Sequence, residues 1–323
     1  MRASMMHLPK TRAALAAAAL CVIAAAPSAA RDITIEGAHG RTLTITDSSR
    51  TVSIGGAITE IMVALGVGSK LVGIDSTSTF PPDAVKGKAN VGYLRQLSAE
   101  GVIGLRPTLI VAMDSAGPKQ AVQAFEAAQI PLLQVPEDFS EKGLLDKIAL
   151  IGRAMDAEPA ATCLARAVAQ DFDYLRQLRS KVTKPVRVMF VMSLVNGQAM
   201  AAGNNTAANE IIALSGGVNA ITEYDRYKTI NNEAIVAAKP DVVLTIKRDK
   251  DSFESAAFFA HPAFALTPAG ANKAFISMDG LYLLGFGPRT PTAAREVATK
   301  LYPQLAAPSV PSHALRAEQE CRP

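Results

Sequence analysis

The stretch KGLLDKIALIGRAMDAEPAATCLARAVAQDFDYLRQLRSKV, residues 142–182, decides the fold. Leu144, Leu145, Ile148, Ile151 and Met155, then Leu164, Val168, Phe172, Leu175 and Leu178, recur at three- and four-residue steps. That is helical spacing sustained over many turns. Gly152 and Pro159 alone interrupt it, and Pro159 follows Asp156-Ala157-Glu158. A proline there fits the first turn of a second helical segment, where no N–H is needed. The segment reads as a long helical connection between two halves.

On either side of it, short apolar strands alternate with amphipathic stretches, the pattern of an α/β protein. Upstream, residues 33–45 read as a hairpin, 52–54 as a strand and 59–65 as a helix, with further strands at 71–74, 109–112 and 132–135. Downstream, strands are expected at 186–192, 242–246 and 274–277, and helices at 207–214 and 292–302. The halves repeat weakly. Thr59-Glu60-Ile61 before Ala64-Leu65-Gly66 matches Asn209-Glu210-Ile211 before Ala213-Leu214, at an offset of 150 residues. Glu100-Gly101-Val102-Ile103 before Pro107 matches Glu233-Ala234-Ile235-Val236 before Pro240, with Ser98 and Asn231 as N-caps, at an offset of 133. Unequal offsets mark a distant similarity of two halves, not an array. Two α/β lobes joined by a helix enclose a cleft, a favoured place for a ligand.

The first thirty residues read as an address. Arg2, Lys10 and Arg12 precede an uncharged apolar run over 13–26, broken by Pro27 and followed by Ser28-Ala29-Ala30. A basic start, a short apolar run and a small-residue exit make a secretory signal peptide cleaved near Ala30. The run is too short for a membrane span, and Leu20 before Cys21 does not fit a lipid-anchor site. The expected division is therefore 1–30 signal peptide, 31–140 N-terminal lobe, 141–182 linking helix, 183–306 C-terminal lobe and 307–323 flexible tail. Without the leader, 30 basic residues face 29 acidic ones, a balance of +1. No clustered cationic surface follows, so nucleic acid is not an expected partner. At 49% hydrophobic residues the chain can bury a core, which excludes disorder. Of the two remaining cysteines, Cys163 is expected buried in a helix and Cys321 free in the tail, although an oxidising compartment would let them pair.

Catalytic inventories come up short. His39, His261 and His313 are far apart in sequence, and there is no GxSxG, no P-loop and no helix-opening GxGxxG. The sharper signal is Gly92-Tyr93-Leu94-Arg95-Gln96-Leu97-Ser98-Ala99-Glu100. Tyr93 sits after a short strand and before a helix capped by Ser98, and the loop edge of an α/β lobe faces the ligand crevice. In an extended loop Tyr93 and Arg95 project to one side. A guanidinium beside a phenol favours phenolate, an anionic oxygen suited to ferric iron. On residues alone, a packed loop tyrosine beside a surface arginine is the other reading.

Gly92-Tyr93-Leu94-Arg95-Gln96-Leu97-Ser98-Ala99-Glu100-Gly101 and Leu283-Leu284-Gly285-Phe286-Gly287-Pro288-Arg289-Thr290, with Ala201-Ala202-Gly203 and Thr206 as a weaker third match, resemble the periplasmic haem-binding proteins of bacterial ABC haem importers. The resemblance covers the whole chain after the leader. It implies two Rossmann-like lobes joined by a long helix, a ligand cleft between them, and a monomeric carrier without turnover that delivers ferric haem to an inner-membrane permease. It places the axial iron ligand on Tyr93 and a supporting arginine on Arg95. It gives Glu60 and Glu210 the role of exposed docking carboxylates, one per lobe. From the second lobe, Arg248 is expected to face the cleft, with Lys247 and Lys250 as competitors; Tyr224, Tyr227 and Tyr282 are candidates to stack on the ring. No His or Tyr stands at Met192-Ser193-Leu194-Val195-Asn196, where some members offer a second ligand. Cobalamin or a ferric siderophore in the same fold, and a secreted α/β enzyme, are the alternatives.

Overall fold

A computed structural model describes residues 32–247, 255–305 and 311–321. The expected signal peptide, Arg248 and Lys250 lie outside the described residues. The first half runs through the hairpin β1 (Ile33–Glu36) and β2 (Thr42–Ile45), then β3 (Thr51–Ile54), α1 (Gly56–Ala64), β4 (Leu71–Ile74) and β5 (Ala89–Asn90). A tiny hairpin follows, β6 (Gly92–Tyr93) and β7 (Gln96–Leu97), then α2 (Ala99–Gly104), β8 (Leu109–Met113), α3 (Lys119–Ala127) and β9 (Leu132–Val135). Its parallel sheet has the order β5-β4-β3-β8-β9. β3 and β8 are buried along their whole length because helices cover both faces, which is why they read as unbroken apolar runs. Val52, Ile54, Ile110 and Ala112 face one core, and Leu109, Val111 and Met113 the other. Gly55, at φ +126°, lets the chain turn from β3 into α1; a Cβ there would sit 2.5 Å from the Met113 side chain.

The connection is not one helix. α4 (Glu141–Ala154) is capped by the Ser140 hydroxyl, and α5 (Glu158–Arg179) carries Pro159 in its first turn. Asp156 between them adopts left-handed φ +55°, which ends the first helix and lets the second pack back against it. The 22 residues of α5 span about 33 Å.

The second half comprises β10 (Arg187–Val195), β11 (Gln198–Ala202), α6 (Ala207–Leu214), β12 (Val218–Asn219), β13 (Tyr227–Ile230), α7 (Asn232–Ala238), β14 (Val242–Lys247), β15 (Phe275–Asp279) and α8 (Thr290–Leu301). The sheet order is β13-β11-β10-β14-β15, with β12 also on β10. β12, β14 and β15 run parallel in the sheet with β10, whereas β11 and β13 form an antiparallel ribbon on its edge. The two α/β lobes follow the sequence reading; the ribbon goes beyond it, because β10 runs past the expected end at residue 192 to Val195 and turns back through Asn196-Gly197 into β11. These residues, at φ +50° and +73°, make the two-residue turn that joins β10 to β11.

The tail differs from expectation. α9 (His313–Glu320) packs on α5, and Cys321 is disulfide-bonded to Cys163, with Cα atoms 5.6 Å apart. Asp171, buried on α5, accepts hydrogen bonds from the Ser312 hydroxyl at 2.6 Å, the His313 and Ala314 amides at 2.9 and 3.1 Å, and His313 Nδ1 at 2.8 Å. A carboxylate at a helix start satisfies amides that lack intrahelical partners. Ala314 and Ala317 are small enough to let α9 lie close on its neighbours. Neither a loose end over 311–321 nor a free cysteine pair is what the chain forms.

Candidate functional site

Tyr93 lies just beyond the C-terminal end of edge strand β5. Leu94 and Arg95 form the two-residue turn of its hairpin, with Tyr93 opposite Gln96. The hairpin is pinned on both sides. Ser76 N donates to Gly92 O at 2.8 Å, Leu97 N donates to Gly117 O at 2.9 Å, and Gly117 N donates to Leu94 O at 2.9 Å. Gly92, at φ +96°, donates its amide to Asn90 Oδ1 at 2.8 Å. Leu97 is buried in the lobe core, so the base is fixed while Tyr93 remains 41% exposed. Arg95 is also exposed, but as a tight-turn residue and not on the extended loop expected from sequence.

Tyr227, the first residue of β13, is half-buried and lies edge-on to Phe190, with ring centres 6.3 Å apart. Burial pushes its phenol up to about 12, opposed by the Ala208 amide, by Arg95 and by Thr206; Glu137 acts with burial. Arg95 and Glu137 belong to the first lobe and Thr206 and Ala208 to the second, so charged groups of the first lobe lie within electrostatic reach of this phenol. Of the three tyrosines named as ring-stacking candidates, Tyr227 is the one on which Arg95 acts electrostatically. Tyr224 donates its hydroxyl to Ala201 O at 3.2 Å and packs on the second-lobe core. Tyr282 lies 5.1 Å from the Arg289 guanidinium, at a different contact. Lys247 is exposed at the end of β14.

That contact corrects the role expected for Glu60. The side chain is 2% exposed and takes two hydrogen bonds from Arg289, Nε to Oε1 at 3.0 Å and a terminal nitrogen to Oε2 at 2.8 Å. The guanidinium also lies 3.5 Å from the Phe80 ring centre. A carboxylate paired this way inside the protein is not a docking group on its surface. Glu210 is half-buried and accepts from Asn209 Nδ2 at 2.9 Å. The second repeated pair behaves differently: Glu100 and Glu233 are exposed in the first turns of α2 and α7, behind the Ser98 and Asn231 caps.

Two groups escaped the sequence reading. Lys147 is buried on α4, donates to Phe286 O at 3.1 Å, and is pushed down to about 8 by burial, against the pull of Glu137 and Asp138. A lysine one position from Ile148 and three from Leu144, inside the apolar stripe, was the available signal. Arg289 was visible within its motif, but nothing in the spacing tied it to Glu60, which is 229 residues away.

Among the described residues no helix is long and apolar enough to cross a membrane. The profile of the periplasmic binding protein family matches residues 52–281. The chain is 26% identical over 275 residues to the uncharacterised ABC transporter substrate-binding lipoprotein YvrC of Bacillus subtilis, covering 84% of this chain and 86% of that one. It is 27% identical over 202 residues to the vitamin B12-binding protein of Vibrio cholerae, covering 61% and 70%. Among solved structures, the periplasmic heme-binding protein RhuT of Roseiflexus sp. RS-1 superposes with a TM-score of 0.76 at 35% identity, over 80% of this chain and all (100%) of that one. The periplasmic heme-binding protein BhuT with two hemes gives 0.75 at 37%, over 80% and 100%. By these matches and by its two-lobed α/β architecture, the chain belongs to the periplasmic binding protein family.

Proposed function

We propose that the protein is an exported haem carrier, which captures ferric haem between its lobes and passes it to an inner-membrane ABC permease. The observation that carries this reading is Tyr93, an exposed phenol on a hairpin whose base is fixed, with a cationic residue two positions on. Haem-binding proteins of 35% and 37% identity, matched along their whole length, support haem over other cargoes. In this reading Tyr93 binds iron as phenolate, an established axial mode. Arg95 pairs with a haem carboxylate, which arginine grips with two parallel bonds.

Docking falls to Glu100 and Glu233. They are exposed, capped alike, and occupy equivalent places in the two halves, so together they can register on a two-fold partner.

Hemin added to the purified protein tests the assignment by absorption. Wild type should give a tyrosinate-type spectrum, and Tyr93→Phe should lose that spectrum and most of the affinity. Identical spectra and affinities for the two proteins would exclude Tyr93 as the ligand. The vitamin B12-binding relatives make cobalamin the second cargo to try. It needs no anionic oxygen, so its binding would survive Tyr93→Phe.

A further inference from the structure

Asp75 follows β4 and is 1% exposed, yet the four donors that reach its carboxylate are all uncharged. Oδ1 accepts from Gly55 N at 2.9 Å and from the Ser78 hydroxyl at 2.8 Å; Oδ2 accepts from Thr77 N at 3.0 Å and from the Thr77 hydroxyl at 2.7 Å. Behind Ser78, a row of buried hydroxyls runs through Thr59 of α1 to Ser53 of β3, each step at 2.7 Å. A hydroxyl has one proton to give. Ser78 gives its own to Asp75, so Thr59 donates to Ser78 and Ser53 to Thr59. Thr77 Oγ1 in turn accepts from Gly56 N at 3.0 Å. Asp75 and Thr77 thus supply the start of α1 with the acceptors that its cap residue Gly55, having no side chain, cannot offer.

The segment organised in this way, residues 75–80, reaches two other parts of the protein. Ser76 N donates to Gly92 O at 2.8 Å, at the residue immediately before Tyr93. At the far end, the Phe80 ring centre lies 3.5 Å from the guanidinium of Arg289, which itself holds Glu60 of α1. Between these ends the segment lies directly on α1, since a Cβ on Gly56 would come within 2.5 Å of Thr77 O. One saturated carboxylate therefore fixes a short loop that is anchored on a helix, on the second lobe and on the hairpin.

We propose that Asp75 is a positioning residue for the iron ligand: through the Ser76 amide and Gly92 it sets where the hairpin holds Tyr93. This inference rests on the reading of Tyr93 as the haem ligand, and adds to it a group that touches neither the iron nor the ring. A buried polar network is rigid when every member is satisfied and costly when one is not, so the carboxylate is suited to hold a neighbouring backbone to one geometry.

The test compares hemin titrations, the tyrosinate band and thermal melting for wild type, Asp75→Asn, Thr77→Val, Thr77→Ser and Thr267→Val. Asp75→Asn places an amide nitrogen where one acceptor oxygen stood. Thr77→Val keeps the shape and removes the hydroxyl between Gly56 and Asp75, whereas Thr77→Ser retains it. Thr267 is buried in the second lobe ahead of β15, where its hydroxyl accepts from Gly270 N at 3.2 Å, so Thr267→Val is the control for lost stability alone. Asp75→Asn and Thr77→Val are expected to displace the band and weaken hemin binding about tenfold, the size of one buried hydrogen bond left unmade. Thr77→Ser should match wild type in both, and Thr267→Val should melt lower with the wild-type band. In the protein without hemin, amide exchange over residues 92–97 should quicken in Thr77→Val while that of β8 stays unchanged. Thr77→Val with wild-type affinity and band, or with unchanged exchange over 92–97, overturns the proposal whether or not Asp75→Asn folds. A band displaced as far in Thr267→Val, at an equal loss of melting temperature, also overturns it, because general destabilisation would then be the cause. Wild-type protein that takes up no hemin overturns the haem reading and this inference together, an outcome distinct from the others.

Discussion

Arg289 of the second lobe holds Glu60 of the first through two parallel hydrogen bonds, at 3.0 and 2.8 Å, with the guanidinium stacked 3.5 Å from the centre of the Phe80 ring. Glu60 is 2% exposed and Arg289 12%, so the pair closes the seam between lobes away from water. Around it, Leu281 touches the turn at Gly56, where a Cβ would come within 2.4 Å of its side chain. Phe286 packs edge-on against Phe139, with ring centres 5.1 Å apart. These contacts form a clasp that joins the lobes alongside the connecting helices.

Removing one partner of the clasp should be costly. Arg289→Ala leaves a buried carboxylate unpaired, and such losses amount to about 3–5 kcal/mol. The double variant Glu60→Met/Arg289→Met keeps volume without charge and should recover most of that stability. Denaturant unfolding of the three proteins checks this. Equal midpoints for wild type and Arg289→Ala would mean that the pair contributes nothing.

Lys147 sets a pH dependence of opposite sense to the usual one. Its folded pKa is pushed down to about 8 from an ordinary 10.5, chiefly by burial. Between those values the unfolded chain binds more protons than the folded one, so this group makes stability rise with pH from about 8 to 10.5. Below that window both states are charged, and the cost of burying the ammonium is fully present, at most about 3 kcal/mol. Lys147→Met should therefore remove the alkaline rise. Unfolding at pH 7.5 and 9.5 should show wild type gaining on the variant as pH increases; a constant difference would refute the assignment.

The disulfide and the Asp171 cap hold the C-terminal helix jointly. Cys163 and Cys321 are 158 residues apart, and closing so long a loop contributes about 2–5 kcal/mol in the chain-entropy description. Reduction, or Cys163→Ser, should lower the melting temperature and open residues near 311–321 to protease. Asp171 adds an acid limit. Burial raises its carboxyl, but hydrogen bonds from Ser312, His313 and Ala314 outweigh this and leave it below the ordinary 3.8. The stabilisation is thus present above that value and is lost as pH falls through the lower, folded one. Cleavage of the C-terminal helix in reduced protein should accelerate over that acid range, and Asp171→Asn should show the accelerated rate at neutral pH.

What was legible in the sequence follows from how local each signal is. The 207–214 helix is bounded as read, and the helical stretch at 142–182 was recognised because its apolar stripe repeats within the chain. Its break was half-visible, since Pro159 marks a start but the left-handed Asp156 carries no comparable signal. Tyr93 at a strand's end was legible, because strand, loop and capped helix are consecutive. Glu60 with Arg289, and Cys163 with Cys321, were not, because each pair is brought together by the packing of distant elements. Glu60 even reads as a surface residue, since a carboxylate on a short helix is solvated unless a partner arrives from elsewhere. The C-terminal helix was missed for the same reason: its capping carboxylate comes from α5.

Gly92 links backbone conformation to ligand capture. Its φ of +96° is one that residues with a Cβ rarely adopt, and a Cβ there would lie 3.4 Å from Gln96 O across the hairpin. Gly92→Ala should cost about 1–3 kcal/mol of local strain. The hairpin can relieve that strain by shifting its strands, and Tyr93 is the next residue. Weaker hemin binding and an altered tyrosinate band are expected, with only a small change in the melting temperature, because the parallel sheet below is untouched. Substituting Gly87, whose φ is also positive (+77°) but which has open space around it and lies outside the hairpin, should strain the backbone without altering the band. If both variants perturb hemin binding equally, the hairpin geometry is not what presents Tyr93.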